Sequence, residues 1–451
     1  MQALVCAALL LIGAVTYAMA LPRAQRPEPA KEPFAGVLDE HPAIDYATRP
    51  TRDRVALLNQ AIAQGAASLP HREPAGYLLS FLQALGISPD SQLLIFSKTG
   101  LQRASTNPAN PRALYFNDSV VVGYIPGARF LEIAAHDPEQ GVVFYTVDQS
   151  VTPGVAASLS AETSAQAEAP PPDIRRSTNC LTCHVSGSTL DVPGMITRSN
   201  FTNASGGTIP QLGFHIVDHR TALAERWGGW FVTGDYDAPP YGGIGHMGSV
   251  STTLHPTRGD VAATSNEVLL RWMDSDVAGR GYPSHESDIA ALMVFDHQMR
   301  AINLLTRLNW EARVAAYDGS LDPSTGGLRE LVDEVADYFL FVGEVPPPAR
   351  LTPRAGFAAA LAAAGPRDSR GRSLRELDLE HRLLRYPCSY MIHSAAFDHL
   401  PRPARAAVYQ RLAAILTARD GQPKYSHLSA ADRRAILEIL RETKPDWPAW
   451  L

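Results

Sequence analysis

The sequence predicts an α+β fold, mainly helical, with an antiparallel β meander near the amino terminus and a distinct central region. Three observations carry this expectation. Short β-rich runs separated by turn residues crowd residues 92–148, a long helical period fills residues 287–314, and helical spacing recurs to the carboxy terminus between Pro- and Gly-containing turns.

Taken in order, residues 1–20 are nearly all apolar and end in the small-x-small tripeptide Ala18-Met19-Ala20, the pattern of a secretory signal peptide cleaved after Ala20. No Lys or Arg precedes the apolar run, so an uncleaved amino-terminal anchor is the competing expectation. Either places the folded part outside the cytoplasm, periplasmic or secreted. No later segment is long and apolar enough to span a bilayer.

Residues 21–45 are rich in Pro, Ala and charge and read as an extended leader. Helical spacing over 53–86 breaks at Pro70 and ends near Gly86. QLLIFSK (92–98), ALYFN (113–117), SVVVGYI (119–125), RFLEIAA (129–135) and VVFYTVD (142–148) are the strands of the meander. An Ala/Glu/Ser/Pro linker over 158–176 closes an amino-terminal region spanning 21–170.

A central region follows over 171–345. There QLGFHIVDH and GGWFVTG are expected to pair as strands, ahead of the Pro/Gly-rich loop 238–249. The helix over 287–314 begins at a Ser-Asp cap and is apolar round much of its surface, which belongs in a core. Residues 344–353 read as a second linker. The region 346–451 is helical, with candidate helices at 354–364, 374–385, 402–418 and 429–443 after one at 326–342.

Composition narrows the function. A net charge of −6 leaves no basic excess to neutralise phosphates, so a general nucleic-acid binder is not expected. The chain has four cysteines, and Cys6 lies in the apolar leader. Only Cys180, Cys183 and Cys388 remain, too few for a disulfide scaffold of this size.

Cys180-Leu181-Thr182-Cys183-His184 fits C-x-x-C-H. Two thiols three positions apart on one helical turn can each add across a vinyl group of haem, and the adjacent His projects from the same turn to supply a proximal nitrogen to iron. Two other uses of C-x-x-C compete. A thioredoxin-like redox pair needs a preceding strand in a βαβ setting, whereas here a proline linker precedes the motif. A structural zinc site needs two more ligands, and Cys388 with His393 would complete a Cys3His set from far along the chain.

The segment CLTCHVSGSTLDVPG resembles the haem-attachment segment of c-type cytochromes. That resemblance implies one covalent haem c on Cys180 and Cys183, with His184 as the proximal iron ligand. It also implies that Pro193 packs beside the imidazole, with a carbonyl of its segment holding the ring N–H. The rest of the chain is similar to a group of secreted bacterial single-haem proteins, a likeness that carries no reaction with it.

For the sixth ligand the family offers Met or His. His246 and Met247 in the Gly/Pro-rich loop are the first choices, and His297 in the long helix is the third. An open distal position is the alternative.

Other residues read as packing first. Cys388, within RYPCSYMIHSAAF, is expected to be an inert core thiol. His215 and His219 are spaced to form a metal pair, though a structural role is the plainer expectation. Trp227, Trp230, Tyr236 and Tyr241 would either wall a haem crevice or simply pack. His285-Glu286 lacks the second His of a zincin helix, and no Walker loop or nucleophile elbow occurs.

These features point to electron transfer with a redox partner protein. Two alternatives stand beside it: a haem-dependent oxidoreductase, oxidase- or peroxidase-like, and a redox or gas sensor with an open distal position. A haem c module needs only about 100 residues, and the surplus favours docking or catalysis over a free shuttle.

Overall fold

The five β-rich runs fold as the alternation of their side chains dictates, each becoming a strand whose neighbours in sequence are its neighbours in space. The computed structural model describes residues 40–150, 171–203, 205–236 and 277–448. The elements described all belong to one compact unit, Val37–Leu451. The strands are β1 (Leu93–Ile95), β2 (Arg112–Phe116), β3 (Val120–Tyr124), β4 (Phe130–Asp137) and β5 (Gly141–Asp148). A sixth, β6 (Ile174–Arg176), completes an antiparallel meander in sequence order. The fold is α+β.

β6 falls where the sequence indicated linker. Its three residues pair with Tyr145, Thr146 and Val147, a ladder too short for periodicity to reveal.

Alternation gives the sheet two apolar faces. Ala113, Tyr115, Val122, Leu131, Ile133, Val143, Tyr145 and Val147 share one core with α1 (Arg54–Ala63) and α2 (Leu78–Leu85). Asp53 caps α1 by accepting from Val55 and Ala56 N–H, and α2 ends at Gly86 in the left-handed region (φ 64°). On the other face Phe116, Val121, Ala134, Val142 and Phe144 pack with the long helix and the carboxy-terminal helices.

Counting the short turn α3 (Leu181–His184), the long helix is α4 (Ile289–Tyr317). Asp288 caps it by accepting from Ala290 and Ala291 N–H, and its other oxygen accepts from Arg354 and Ala355 N–H. Nearly every residue from Ile289 to Ala312 is buried, as the all-round apolar pattern requires. Around it stand α5 (Gly326–Phe339), α6 (Phe357–Ala363), the single turn α7 (Ala395–Asp398), α8 (Arg402–Leu416) and α9 (Ala430–Thr443). No helix among the described residues is long and apolar enough to cross a membrane.

Three local expectations are corrected. The apolar spacing of 374–385 does not make a helix, because the Asp378 carboxylate accepts from Glu380 and His381 N–H and turns the chain back, bringing Leu377 opposite Leu384. The segments QLGFHIVDH and GGWFVTG do not pair with each other. The first holds β8 (Phe214–Ile216), which pairs with β7 (Arg198–Asn200), while Phe231 N–H donates to Leu94 in β1. Downstream, β9 (Asp235–Tyr236) pairs with β10 (Leu351–Thr352), so the supposed second linker carries a strand.

His136 on β4 is buried and lines a small cavity with Asn117, Met195, Gln298 and Ile302. Burial lowers its pKa to about 4, opposed by the charge of neighbouring Asp137. A histidine whose folded pKa lies below its unfolded value of about 6.5 loses stability as pH falls from 6.5 towards 4. His136→Gln is therefore expected to shrink the loss of stability between pH 7 and pH 4 by about 3 kcal/mol relative to the parent. Urea midpoints across that range check it, and equal slopes for both proteins would refute it.

Candidate functional site

The C-x-x-C-H turn hangs from the sheet. Beyond β6 the ladder continues one step, with Ser177 N–H donating to Phe144 O at 2.8 Å, and the chain then coils into α3. Cys183 N–H and His184 N–H both donate to Cys180 O, at 3.2 and 3.0 Å, so the two cysteines and the histidine share one turn. Cys180 is half-buried, Cys183 is exposed, and both are free thiols. Burial pushes the Cys180 thiol up, and the Ser177 hydroxyl, 3.8 Å from its sulfur, opposes this.

His184 is fixed on two sides. Its ring lies against Phe144 on β5, centroids 4.7 Å apart, and its Nδ1 sits 2.7 Å from Gly194 O. Gly194 N–H returns a bond to His184 O at 3.0 Å. A carbonyl can only accept, so Nδ1 carries the ring proton and Nε2 keeps its lone pair. Nε2 makes no hydrogen bond among the described residues. Burial lowers the pKa of His184, the Gly194 carbonyl opposes this, and the charges of Arg112 and Arg198 lower it further. The imidazole is neutral, the form that binds a metal.

Gly194 rather than Pro193 supplies the carbonyl to the ring. Pro193 is buried beside it, and its own carbonyl accepts from Val142 N–H at 3.3 Å. The loop between His184 and Gly194 is held to α4 at two points. Arg307 donates to Leu190 O at 2.8 Å. Asn303 accepts from Met195 N–H at 2.9 Å and donates to Met195 O at 2.7 Å. A Cβ on Gly194 would lie 2.3 Å from Asn303 Oδ1, so only glycine lets this segment approach the helix so closely.

The other candidates lie elsewhere. His297 is fully buried, with Nδ1 2.9 Å from His219 Nδ1 and Nε2 2.7 Å from Ser389 Oγ, so both ring nitrogens are committed within the core. His219 therefore partners His297 and not His215, whose ring lies near Phe201. His246, Met247 and Tyr241 lie outside the described residues. Trp227 donates to Asp296 and Trp230 to Arg198 O, each at 2.8 Å, and both indoles are core residues.

Cys388 is fully buried, with its thiol pushed up to about 12 by desolvation, and His393 is bonded to Thr443 Oγ1 at 3.0 Å. Among the described residues no three of His, Cys, Asp and Glu converge to hold a metal ion, so the Cys3His set is not assembled. A zinc site requires such convergence. Thioether attachment does not, because the thiols bond to the porphyrin edge and only the imidazole meets the metal. The observed turn, with its neutral imidazole and unengaged Nε2, fits haem c. Phe144, Gly194 and Asn303, which hold the turn in place, belong to no spaced motif.

Asn303→Leu removes both partners from the backbone of Met195, a loss of about 2 kcal/mol in stability. Asn303→Asp, which keeps the acceptor but sets a second buried oxygen against Met195 O, is expected to lose at least as much. Urea midpoints measure both, and an unshifted leucine variant would show that the clamp carries no weight. The chain matches no protein-family model, no curated protein and no solved structure.

Proposed function

We propose that this is an exported protein that carries one haem c on Cys180 and Cys183, with His184 beneath the iron, and passes electrons to a redox partner. The observation that carries the reading is the His184 turn, on which Nδ1 is held by Gly194 O and Nε2 is left unengaged beside two free thiols. When bound, haem c supplies a one-electron iron couple. The chain's own contribution is positional. Gly194 fixes the tautomer, Phe144 fixes the ring plane, and Asn303 and Arg307 hold the loop that carries Gly194. Export rests on the apolar leader ending at Ala20 and agrees with covalent attachment, which keeps a cofactor from being lost outside the cell.

A second reading, a haem enzyme or gas sensor with an open distal position, gains from one observation. His297, the distal candidate within the described residues, has both ring nitrogens engaged in the core.

Produced in a host that matures c-type cytochromes, the polypeptide is expected to gain the mass of one haem and to stay coloured on a denaturing gel, and Cys180→Ser/Cys183→Ser to do neither. A parent chain without added mass would overturn the haem reading. Carbon monoxide separates the two functions. A ferrous protein that refuses it at neutral pH is an electron carrier, whereas rapid stoichiometric binding selects the enzyme or sensor.

A further inference from the structure

The sheet face that receives α4 changes character along its length. One cross-strand row, Phe116, Val121, Ala134 and Phe144, is buried throughout. The next row on the same face is Leu114, Gly123, Glu132, Thr146 and Arg175, and all but Gly123 are at least partly exposed. His184 packs on Phe144, at the border between the two rows. Past the half-exposed row stands Arg112, opposite Ile95 on β1. Ile95 in turn bridges to Trp230, whose indole donates to Arg198 O.

Both arginines are under-used. Arg112 Nε is buried without a hydrogen-bond partner, and its remaining contacts, to Thr99 O, Thr99 Oγ1 and Glu132, are all at 3.4 Å. Arg198 Nε is also buried without a partner, and its guanidinium lies 4.4 Å from the ring centroid of Phe214, a phenylalanine 48% exposed. A buried guanidinium edge without an acceptor is costly, and a carboxylate is the group whose geometry matches it. The charges of both arginines are felt at His184.

We infer that Arg112 and Arg198 are carboxylate-binding residues of the C-x-x-C-H site, and that the carboxylates they take are the propionates of the attached haem. The inference rests on the haem reading above and adds to it which side chains of this chain meet the cofactor's anionic edge. An arginine at this place also raises the midpoint potential, because a nearby positive charge disfavours the oxidised, more positive iron.

The test uses the haem-loaded protein, after mass spectrometry has established attachment. Arg112→Gln and Arg198→Gln are each expected to lower the midpoint potential, by about tenfold in the oxidised-to-reduced ratio, which is 59 mV for a one-electron couple. Arg112→Lys and Arg198→Lys, which keep the charge, should restore most of it. Arg385→Gln, which removes an exposed arginine paired with Glu376, is the control expected to change nothing. Should a glutamine variant fail to fold, its lysine counterpart compared with the parent across about pH 5 to pH 8 gives the same information, since an altered propionate contact displaces the pH at which the potential bends.

Attached haem with potentials and pH profiles unmoved in every variant would overturn the inference and leave the haem reading intact. A saturable response of the parent to added acetate would place a free carboxylate at the arginines and overturn the propionate assignment. Absence of attached haem would overturn both.

Discussion

One asparagine joins the core of this protein to its C-x-x-C-H turn. Asn303 sits in the buried helix α4 and satisfies both the N–H and the C=O of Met195. The neighbouring Gly194 carbonyl then meets the His184 ring. The same device recurs along the helix. Asp296 accepts from Trp227, Gln298 donates to Asn117 O and accepts from Tyr390, Arg307 donates to Leu190 O, and Asn309 donates to Pro138 O. Each of these polar groups would be costly in a core if unpaired. Each instead fixes a different loop to the one element that is buried on all sides.

The helix also decides where the sheet stays open. α4 and the carboxy-terminal helices cover only part of one face, so a buried row of side chains gives way to a half-exposed one within a single strand repeat. His184 lies at that border, shielded enough for burial to hold the imidazole neutral yet with its outer nitrogen unengaged. His297, fully buried in the core, has both ring nitrogens claimed by protein groups. Position relative to the covered face, more than residue type, separates the two.

Much of this was legible in the residues. Five β-rich runs gave five strands because β-branched and aromatic residues crowd each run and turn residues bound it. The long helix was visible from its cap and its apolar spacing, and the motif from its spacing alone. Short ladders were not legible. β6 to β10 are two or three residues each, and their pairing is set by tertiary contacts that leave no periodic trace. The helical spacing of 374–385 misled because one side chain, Asp378, satisfies two backbone donors in a turn. Arg112 and Arg198 could not be joined to the motif in sequence, since strand register and the Ile95–Trp230 bridge bring them towards it.

Precise anchoring bears on how the turn would take up the haem proposed above. Ordering a loop at the moment of binding draws on the binding energy itself, whereas a loop already held by the core has met that cost during folding. Here the turn carrying both thiols continues from a sheet strand, the carbonyl that sets the imidazole tautomer is locked to α4, and a glycine is required for that approach. Cys183 is exposed while Cys180 is half-buried, so one thiol is open to solvent and its neighbour lies against the fold. The site is therefore organised by the packing of residues far from it in sequence, and substitutions in α4 would disturb it as surely as substitutions in the motif.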